Sequence, residues 1–234
     1  MFERALTLDP QSVEAQSRLA DELSGRVQTG ITEAAAADLT RAEGLVGRAL
    51  AASPHYAFAH YVKGQVLRAQ QRWEEAIPEY ETVLALDRNL VAAFSGLAWC
   101  KLSVGSIDEV IPLAEQAIRL NPRDPRIGIR YRLIGTVNLL QSRTDEAIVW
   151  FEKARSAMPA HPAFRASLAS AYALKGDTER AAAELAEAQR LARDGRYANL
   201  ARVRAAPNWR ASKIRALFET TYWAGLRKAG LPEE

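Results

Sequence analysis

The sequence predicts an all-α fold, an α-solenoid of helix-turn-helix repeats followed by C-terminal capping helices. The first observation is a period of 34 residues, which aligns Ala57–Leu90 with Val91–Asp124. The second is a set of small apolar residues that recurs in register in five consecutive units. Repeats of this length bury their apolar faces by stacking on their neighbours, so they form elongated arrays with short-range contacts.

The small residues have a packing cause. They occupy the positions where the two helices of a hairpin approach most closely, and a larger side chain there would push the helices apart. A generic amphipathic bundle has no reason to keep this register over five units. The eighth repeat position holds Ala20, Gly64, Ala98, Gly135 and Ala169, and the twentieth holds Ala42, Ala76, Val110, Ala147 and Ala181.

This pattern resembles the tetratricopeptide repeat (TPR), a helix-turn-helix unit of 34 residues that stacks into a solenoid. The resemblance predicts five TPR units. It also predicts that residues 1–12 form the second helix of a truncated repeat. Residues 194–234 are predicted to form C-terminal capping helices and a basic tail. The five units are residues 13–56, 57–90, 91–124, 125–161 and 162–193.

The first unit is about ten residues longer than its neighbours. Its excess lies between the two helices, where Gly25 and Gly30 interrupt the helical pattern and Thr32 can start a new helix. We therefore expect an extended loop between the two helices of this unit.

Helix starts are marked in the later units. Ser106 and Glu109 have the spacing of a capping box, and Asp177 follows Gly176 as a candidate N-cap. Beyond the fifth unit, helices are expected over Arg196–Arg204 and Ser212–Ala229, separated by Pro207. The second of these is amphipathic, so it can cover the open end of a stack.

Composition narrows the class of protein. Hydrophobic residues make up 48% of the chain and charged residues 25%, which is typical of a folded globular protein. The single Cys100 cannot form an internal disulfide, so a reducing, cytoplasmic location is expected. There is no apolar run long enough to span a membrane, and the charged first ten residues do not form a secretory signal.

The sequence shows no catalytic constellation. It lacks phosphate-binding glycine loops, a nucleophile elbow and an HExxH motif, so we expect neither an enzyme nor a metal or cofactor site. His55 and His161 neighbour the prolines between repeats, where turn residues are common, and His60 is expected to be a half-buried ring. The glutamates of the second unit are expected on exposed helix faces: Glu74, Glu75, Glu79 and Glu81.

A partner-binding groove is the candidate site. In TPR proteins the first helix of each repeat lines a concave surface, and repeat positions 2, 5, 9 and 12 usually point into it. The resemblance therefore implies a protein or peptide partner bound by aromatic and Arg side chains, which commonly anchor interfaces. The predicted groove residues are Phe58, Tyr61, Gln65, Arg68, Ser95, Trp99, Leu102, Arg132, Thr136 and Leu139. The Lys/Asn clamp of chaperone-binding TPR domains is not matched, because Tyr61, Gln65, Ser95 and Trp99 stand at its key positions.

Several stretches resemble the C-terminal repeat regions of bacterial class III adenylate/guanylate cyclases. They include LTRAEGLVGRALAASP, GSIDEVIPLAEQAIRLNPRDP, LLQSRTDEAIVWFEKARSAMP and the ending YWAGLRKAGLPEE. The resemblance implies the non-catalytic part of a signalling protein whose cyclase domain lies outside this chain. Similar repeats also follow DNA-binding domains, so a transcriptional neighbour is the other possibility.

A third hypothesis is nucleic-acid binding through the basic tail. From Arg190 to Glu234 there are ten Lys/Arg against four Asp/Glu, a net charge of +6, whereas Met1–Gln189 has 21 against 24. Phosphate contacts would give an affinity that falls steeply with salt. The candidate contacts are Arg196, Arg202, Arg204, Arg210, Lys213 and Arg215. A solvated capping helix explains the same charges, and we favour it over this hypothesis.

Overall fold

The computed structural model describes residues 1–29, 31–205 and 214–234, and these residues form α-helices joined by short turns. The predicted all-α class is confirmed, since no strand occurs in the described ranges. The helices are α1 Phe2–Leu8, α2 Val13–Thr29, α3 Ala35–Ala52, α4 Ala57–Ala69, α5 Trp73–Leu86, α6 Val91–Val104, α7 Val110–Leu120, α8 Ile127–Leu140, α9 Thr144–Ala157, α10 Pro162–Lys175, α11 Thr178–Leu191 and α12 Leu200–Ala205. The last helix, α13, consists of Arg215–Phe218, a π-helical turn at Glu219–Trp223, and Ala224–Lys228.

The contacts divide the chain into a first unit, Met1–Cys100, and a second unit, Lys101–Glu234. In the first unit α2 pairs with α3 and α4 pairs with α5, and α4 also packs on both helices of the preceding pair. In the second unit α8 pairs with α9 and α10 pairs with α11, while α10 also packs on α9 and α8. Within each of these two units, the later hairpin therefore packs through its first helix on the hairpin before it.

The ten small repeat residues are all buried, as their register predicts. Two of them are glycines that make room for an aromatic ring. A Cβ on Gly64 would lie 2.9 Å from the Tyr80 ring, and a Cβ on Gly135 would lie 2.6 Å from the Phe151 ring. Both rings come from repeat position 24, and both are fully buried. Glycine occupies position eight only in the two units whose position 24 is aromatic, so the two positions are matched in volume.

The prediction of a long loop in the first repeat, residues 13–56, is wrong. Helix α2 continues through Gly25 to Thr29, and α3 begins at Ala35, so the extra residues lengthen the helices to 17 and 18 residues. A glycine inside a helix costs about 1 kcal/mol relative to alanine, and tertiary packing readily offsets so small a penalty. The expected break at Gly30 lies outside the described residues.

One predicted helix cap is confirmed and one is wrong. The Asp177 side chain accepts a hydrogen bond from the Arg180 backbone N–H, at 3.1 Å, and caps α11. The Ser106 side chain makes no capping bond, because Ile107–Glu109 forms a 3₁₀ turn before α7. The Glu109 carboxylate instead lies 2.9 Å from Lys101 Nζ.

Two polar residues stand at repeat positions that are usually apolar, and each forms an ion pair or hydrogen bonds within its own repeat. Lys63 Nζ lies 2.7 Å from Glu79 Oε1, so its charge is paired across the α4–α5 hairpin. Asn138 is buried, and its amide donates to the Ile134 carbonyl and accepts from Arg143 Nε, at 2.9 and 2.7 Å. The hairpins therefore tolerate these polar residues because their hydrogen bonds are made.

The start of α12 is hydrogen-bonded to the last residues of the chain. The backbone N–H groups of Leu200 and Ala201 donate to the carbonyls of Pro232 and Glu233, at 2.8 and 3.1 Å. Arg204 adds ion pairs to Glu219 and Glu233, each at 2.8 Å. The predicted separation at Pro207 lies outside the described residues. No helix in the described part of the chain is both long and apolar enough to cross a membrane.

Candidate functional site

One stripe of α4 carries the candidate site of the first unit. Phe58, Tyr61, Gln65 and Arg68 follow one another at helical spacing, and all four side chains are partly exposed. Of the residues between them, Ala59, Val62, Val66 and Leu67 are buried in the core. The α4 helix thus presents aromatic and polar groups on one face while its other face holds the repeat together.

The aromatic part of the stripe is a stacked pair. The rings of Phe58 and Tyr61 lie 6.0 Å apart at an angle of 28°, and both pack by one side against the apolar core of the unit. The Arg18 guanidinium of α2 lies 4.2 Å from the centre of the Phe58 ring. Both rings keep part of their surface accessible, so each ring stabilises the repeat and can also contact a partner.

The polar part is a chain of hydrogen bonds centred on Gln65. Gln65 Nε2 donates to the Tyr61 hydroxyl at 2.7 Å, and the Tyr80 hydroxyl donates to Gln65 Oε1 at 2.9 Å. Burial raises the pKa of Tyr80 well above 10, so this hydroxyl keeps its proton and remains a donor. The two phenols therefore fix the orientation of the Gln65 amide.

Helix α2 contributes groups that the sequence did not assign to the site. Gln28 Nε2 donates to the Gln65 carbonyl at 3.3 Å, and Arg68 donates to Gln28 Oε1. Gln28 lies beyond Gly25, in the part of α2 that was expected to be a loop. Gln28 was missed because of the wrong loop, since the continuation of α2 through Gly25 is what places Gln28 beside Arg68.

Ser95 and Trp99 lie on the first-unit part of α6, and both are partly exposed. The Ser95 hydroxyl donates to the Val91 carbonyl at 3.2 Å, within its own helix. These two residues keep accessible surface, so they stay candidates for contact with a partner.

Within the structural unit Lys101–Glu234, the predicted exposure of several groove residues is wrong. Leu102 and Leu139 are each 1% exposed and Thr136 is 5% exposed, so none of them offers surface to a partner. The Thr136 hydroxyl donates to the Arg132 carbonyl at 2.8 Å. Arg132 is desolvated, which lowers its pKa, and the neighbouring hydroxyls of Tyr222 and Tyr197 act in the opposite direction. Arg132 itself keeps part of its surface exposed, and the C-terminal segment contacts α8 through the π-helical turn of α13.

The expectation that Glu79 is solvated is also wrong. Its side chain is 14% exposed, and its second carboxylate oxygen lies 2.7 Å from His60 Nδ1. The other ring nitrogen of His60 lies 2.9 Å from the Pro54 carbonyl. His60 is thus a partly buried ring, as expected, and this ion-pair cluster joins α4 to α5 on the side of α4 away from the stripe.

Comparison with known families agrees with the fold. Two family models, both described as tetratricopeptide repeat, match residues 27–90 and 138–203. Together these matches cover more than half of the chain. They fall in both structural units, and each spans at least one complete helical hairpin.

Similar proteins are distant in sequence. The chain is 27% identical over 121 residues to the photosystem I assembly protein Ycf3 of a strain of Prochlorococcus marinus, and the match covers 48% of this chain and 70% of that protein. Among solved structures, the type IV pilus biogenesis factor PilW superimposes with a TM-score of 0.66 at 17% identity, over 90% of this chain and 96% of PilW. YrrB, a TPR protein with an unusual peptide-binding site, gives 0.56 at 21% identity, over 82% of this chain and 93% of YrrB.

Proposed function

This chain belongs to the tetratricopeptide repeat proteins, and from that premise we propose that it is a protein-interaction module that binds a peptide segment of a partner protein on the α4 stripe. The stripe is defined by Phe58, Tyr61, Gln65 and Arg68, with Arg18 and Gln28 of α2 beside it. Ser95 and Trp99 of α6 are included as further contacts of the first unit.

The observation that carries this proposal is the fixed geometry of a half-exposed polar and aromatic surface. The Gln65 amide is held between two phenols, and the Phe58 ring stacks on Tyr61 and contacts the Arg18 guanidinium. Side chains that are ordered before binding lose little conformational entropy when a partner arrives. Aromatic and Arg side chains are also the residues that most often dominate interface energetics.

The chemistry of the stripe defines the kind of segment it suits. The accessible ring surfaces favour an apolar or aromatic side chain of the partner. The Arg68 guanidinium is held by a neutral amide, Gln28, which leaves its positive charge available to an acidic or carbonyl group. A segment with an apolar anchor beside an oxygen acceptor therefore fits the surface.

The relatives support an assembly role of this general kind. Ycf3 is a photosystem I assembly protein and PilW is a pilus biogenesis factor. We infer that the present chain holds another protein in a similar supporting role. The resemblance to cyclase C-terminal regions stays an expectation from the sequence, as do a signalling role and a neighbouring cyclase or DNA-binding domain.

Nucleic-acid binding through the tail is not favoured by the charges in the described residues. Arg196 pairs with Asp194 at 2.6 Å, and Arg204 pairs with two glutamates. Arg215 lies over the Trp223 ring, 5.5 Å from its centre. Phosphate contacts would have to replace these interactions. Arg210 and Lys213 lie outside the described residues.

The proposal is tested by photocrosslinking and affinity measurement. A benzoylphenylalanine placed at position 61 should crosslink a partner protein in cells of the source organism, whereas the same group at the exposed position 149 of α9 should not. The crosslinked segment is then synthesised and titrated against the chain. The Tyr61→Ala/Trp99→Ala variant should bind it at least about tenfold more weakly, as expected for interface anchors. Equal binding by wild type and variant would reject the site.

A further inference from the structure

The last helix, α13, does not occupy the place of the next repeat. A helix that starts a new repeat packs on both helices of the repeat before it, as α10 does on α8 and α9. The main contacts of α13 are instead with α10 and, through its π-helical turn, with α8. These are the first helices of the fifth and fourth repeats, so α13 lies along the face where TPR proteins form their concave groove.

The seat for α13 on α10 is built from small residues. Repeat positions 5, 9 and 12 of the fifth unit are Ala166, Ser170 and Ala173, and all three are buried. Gly225 of α13 crosses at Ser170, where a Cβ would lie 2.5 Å from the Ser170 carbonyl oxygen. Small residues on both helices allow the two backbones to approach this closely.

The contact is also polar, unlike an ordinary core. The Ser170 hydroxyl donates to the Tyr222 carbonyl at 2.8 Å, and Tyr222 lies within the π-helical turn. The hydroxyls of Tyr222 and Tyr197 are hydrogen-bonded to each other near Arg132. Single π-turns inside helices are common at functional sites. Protein interfaces likewise combine close apolar packing with a small number of direct hydrogen bonds.

We propose that the inner face of α8 and α10 is a helix-binding site that the chain's own α13 fills in cis. The site takes an amphipathic helix with a glycine at the Ser170 crossing and a tyrosine three residues before it, as Tyr222 and Gly225 are placed here. A partner helix with this pattern exchanges with α13. This site is separate from the α4 stripe, so either proposal can fail without the other.

The test uses the full chain and a labelled peptide of its own residues 214–234, IRALFETTYWAGLRKAGLPEE. The Gly225→Leu substitution in the full chain should unseat α13, because a side chain cannot fit against Ser170. Hydrogen exchange followed by mass spectrometry should then show faster exchange in α13, with the helical circular dichroism of the repeats retained. The Ala216→Leu substitution, at an exposed position of α13, is the matched control and should change neither.

Peptide binding decides the proposal. By fluorescence polarisation, the wild-type peptide should bind the Gly225→Leu chain at least about 30-fold more tightly than it binds the wild-type or Ala216→Leu chain. A peptide that itself carries Gly225→Leu should not bind any of them. The proposal is overturned if the unseated chain does not bind the wild-type peptide, or if all three chains bind it equally. Loss of the repeat fold on Gly225→Leu would equally overturn it, because α13 would then be an integral part of the core.

Discussion

Gly96 lies so close to Tyr80 that a Cβ added to the glycine would be 2.5 Å from the ring carbon that bears the hydroxyl. The ring cannot move aside, because it is fully buried and its hydroxyl is bonded to Gln65. We therefore expect Gly96→Ala to lower the free energy of unfolding by about 2 kcal/mol, as overpacking of a core does. Urea denaturation followed by circular dichroism measures this loss.

The control for this prediction is Gly47→Ala. A Cβ on Gly47 would meet no atom within 4 Å, and the residue lies on an exposed face of α3. Alanine there should raise stability by about 0.5 to 1 kcal/mol through its helix propensity alone. Combining Gly96→Ala with Tyr80→Leu should recover part of the lost stability. Equal stability of Gly96→Ala and wild type would show that Tyr80 does not fill this recess.

The continuity of α2 is tested at Gly25. A Cβ at this position has open space, so Gly25→Ala should stabilise the chain by about 0.5 to 1 kcal/mol. Gly25→Pro should break the helix and cost about 3 kcal/mol or more. If a loop began at Gly25, proline would be tolerated and alanine would bring no gain. Thermal denaturation of the two variants beside wild type distinguishes the helix from the loop.

Two helix starts give a paired prediction. Asp177→Ala should lower the urea midpoint, because it removes the hydrogen bond to the Arg180 backbone N–H and an ion pair with the same residue. Ser106→Ala should leave the midpoint unchanged, because the Ser106 side chain makes no capping bond. A loss of stability in Ser106→Ala as large as that in Asp177→Ala would restore the capping box that the sequence predicts.

His161 gives a pH dependence with a defined sign. Burial, helped by the positive charges of Arg132 and Arg196, lowers the pKa of His161 to about 4. The unfolded chain takes up this proton near the ordinary pKa of 6.5, while the folded chain does not until about 4. The unfolded state therefore binds more protons in this window, so stability is full above pH 6.5 and falls as the pH drops towards 4.

The measurement compares wild type with His161→Phe over that pH range. Phenylalanine keeps the stacking on Phe164, whose ring lies 4.1 Å away and nearly parallel, but it cannot titrate. The variant should lose less stability than wild type between about pH 6.5 and 4.5. Parallel curves for wild type and His161→Phe would rule out this linkage.

Local packing rules made much of the fold predictable from the sequence. Small residues such as Ala42 and Gly135 mark close helix contacts, and their register alone predicts which faces are buried. The stripe from Phe58 to Arg68 is implied by the resemblance to TPR proteins, in which repeat positions 2, 5, 9 and 12 point into the groove; their spacing then places them on one helix face. The spacing therefore predicts the hairpins, and the TPR resemblance adds the half-exposed face of α4.

Features that depend on distant contacts were not predictable in this way. Gly25 has the local character of a helix breaker, but packing of α2 against α3 and α4 outweighs a penalty of about 1 kcal/mol. Arg132 and Thr136 occupy groove positions that the TPR resemblance assigns, yet Thr136 is buried and the π-helical turn of α13 packs on the same helix from far along the chain. Periodicity describes each repeat and carries no information about a segment that folds back onto it.

The backbone hydrogen bonds from Leu200 and Ala201 to Pro232 and Glu233 have a consequence for competition. They close the segment that carries α13 into a loop, so a displaced α13 stays close to its seat. Tethering of this kind corresponds to an effective concentration of the order of millimolar. A free helix of equal intrinsic affinity would be outcompeted at cellular concentrations. A partner helix can displace α13 only if the partner is already bound to the chain through a second contact. Exchange at this site therefore requires a bivalent partner.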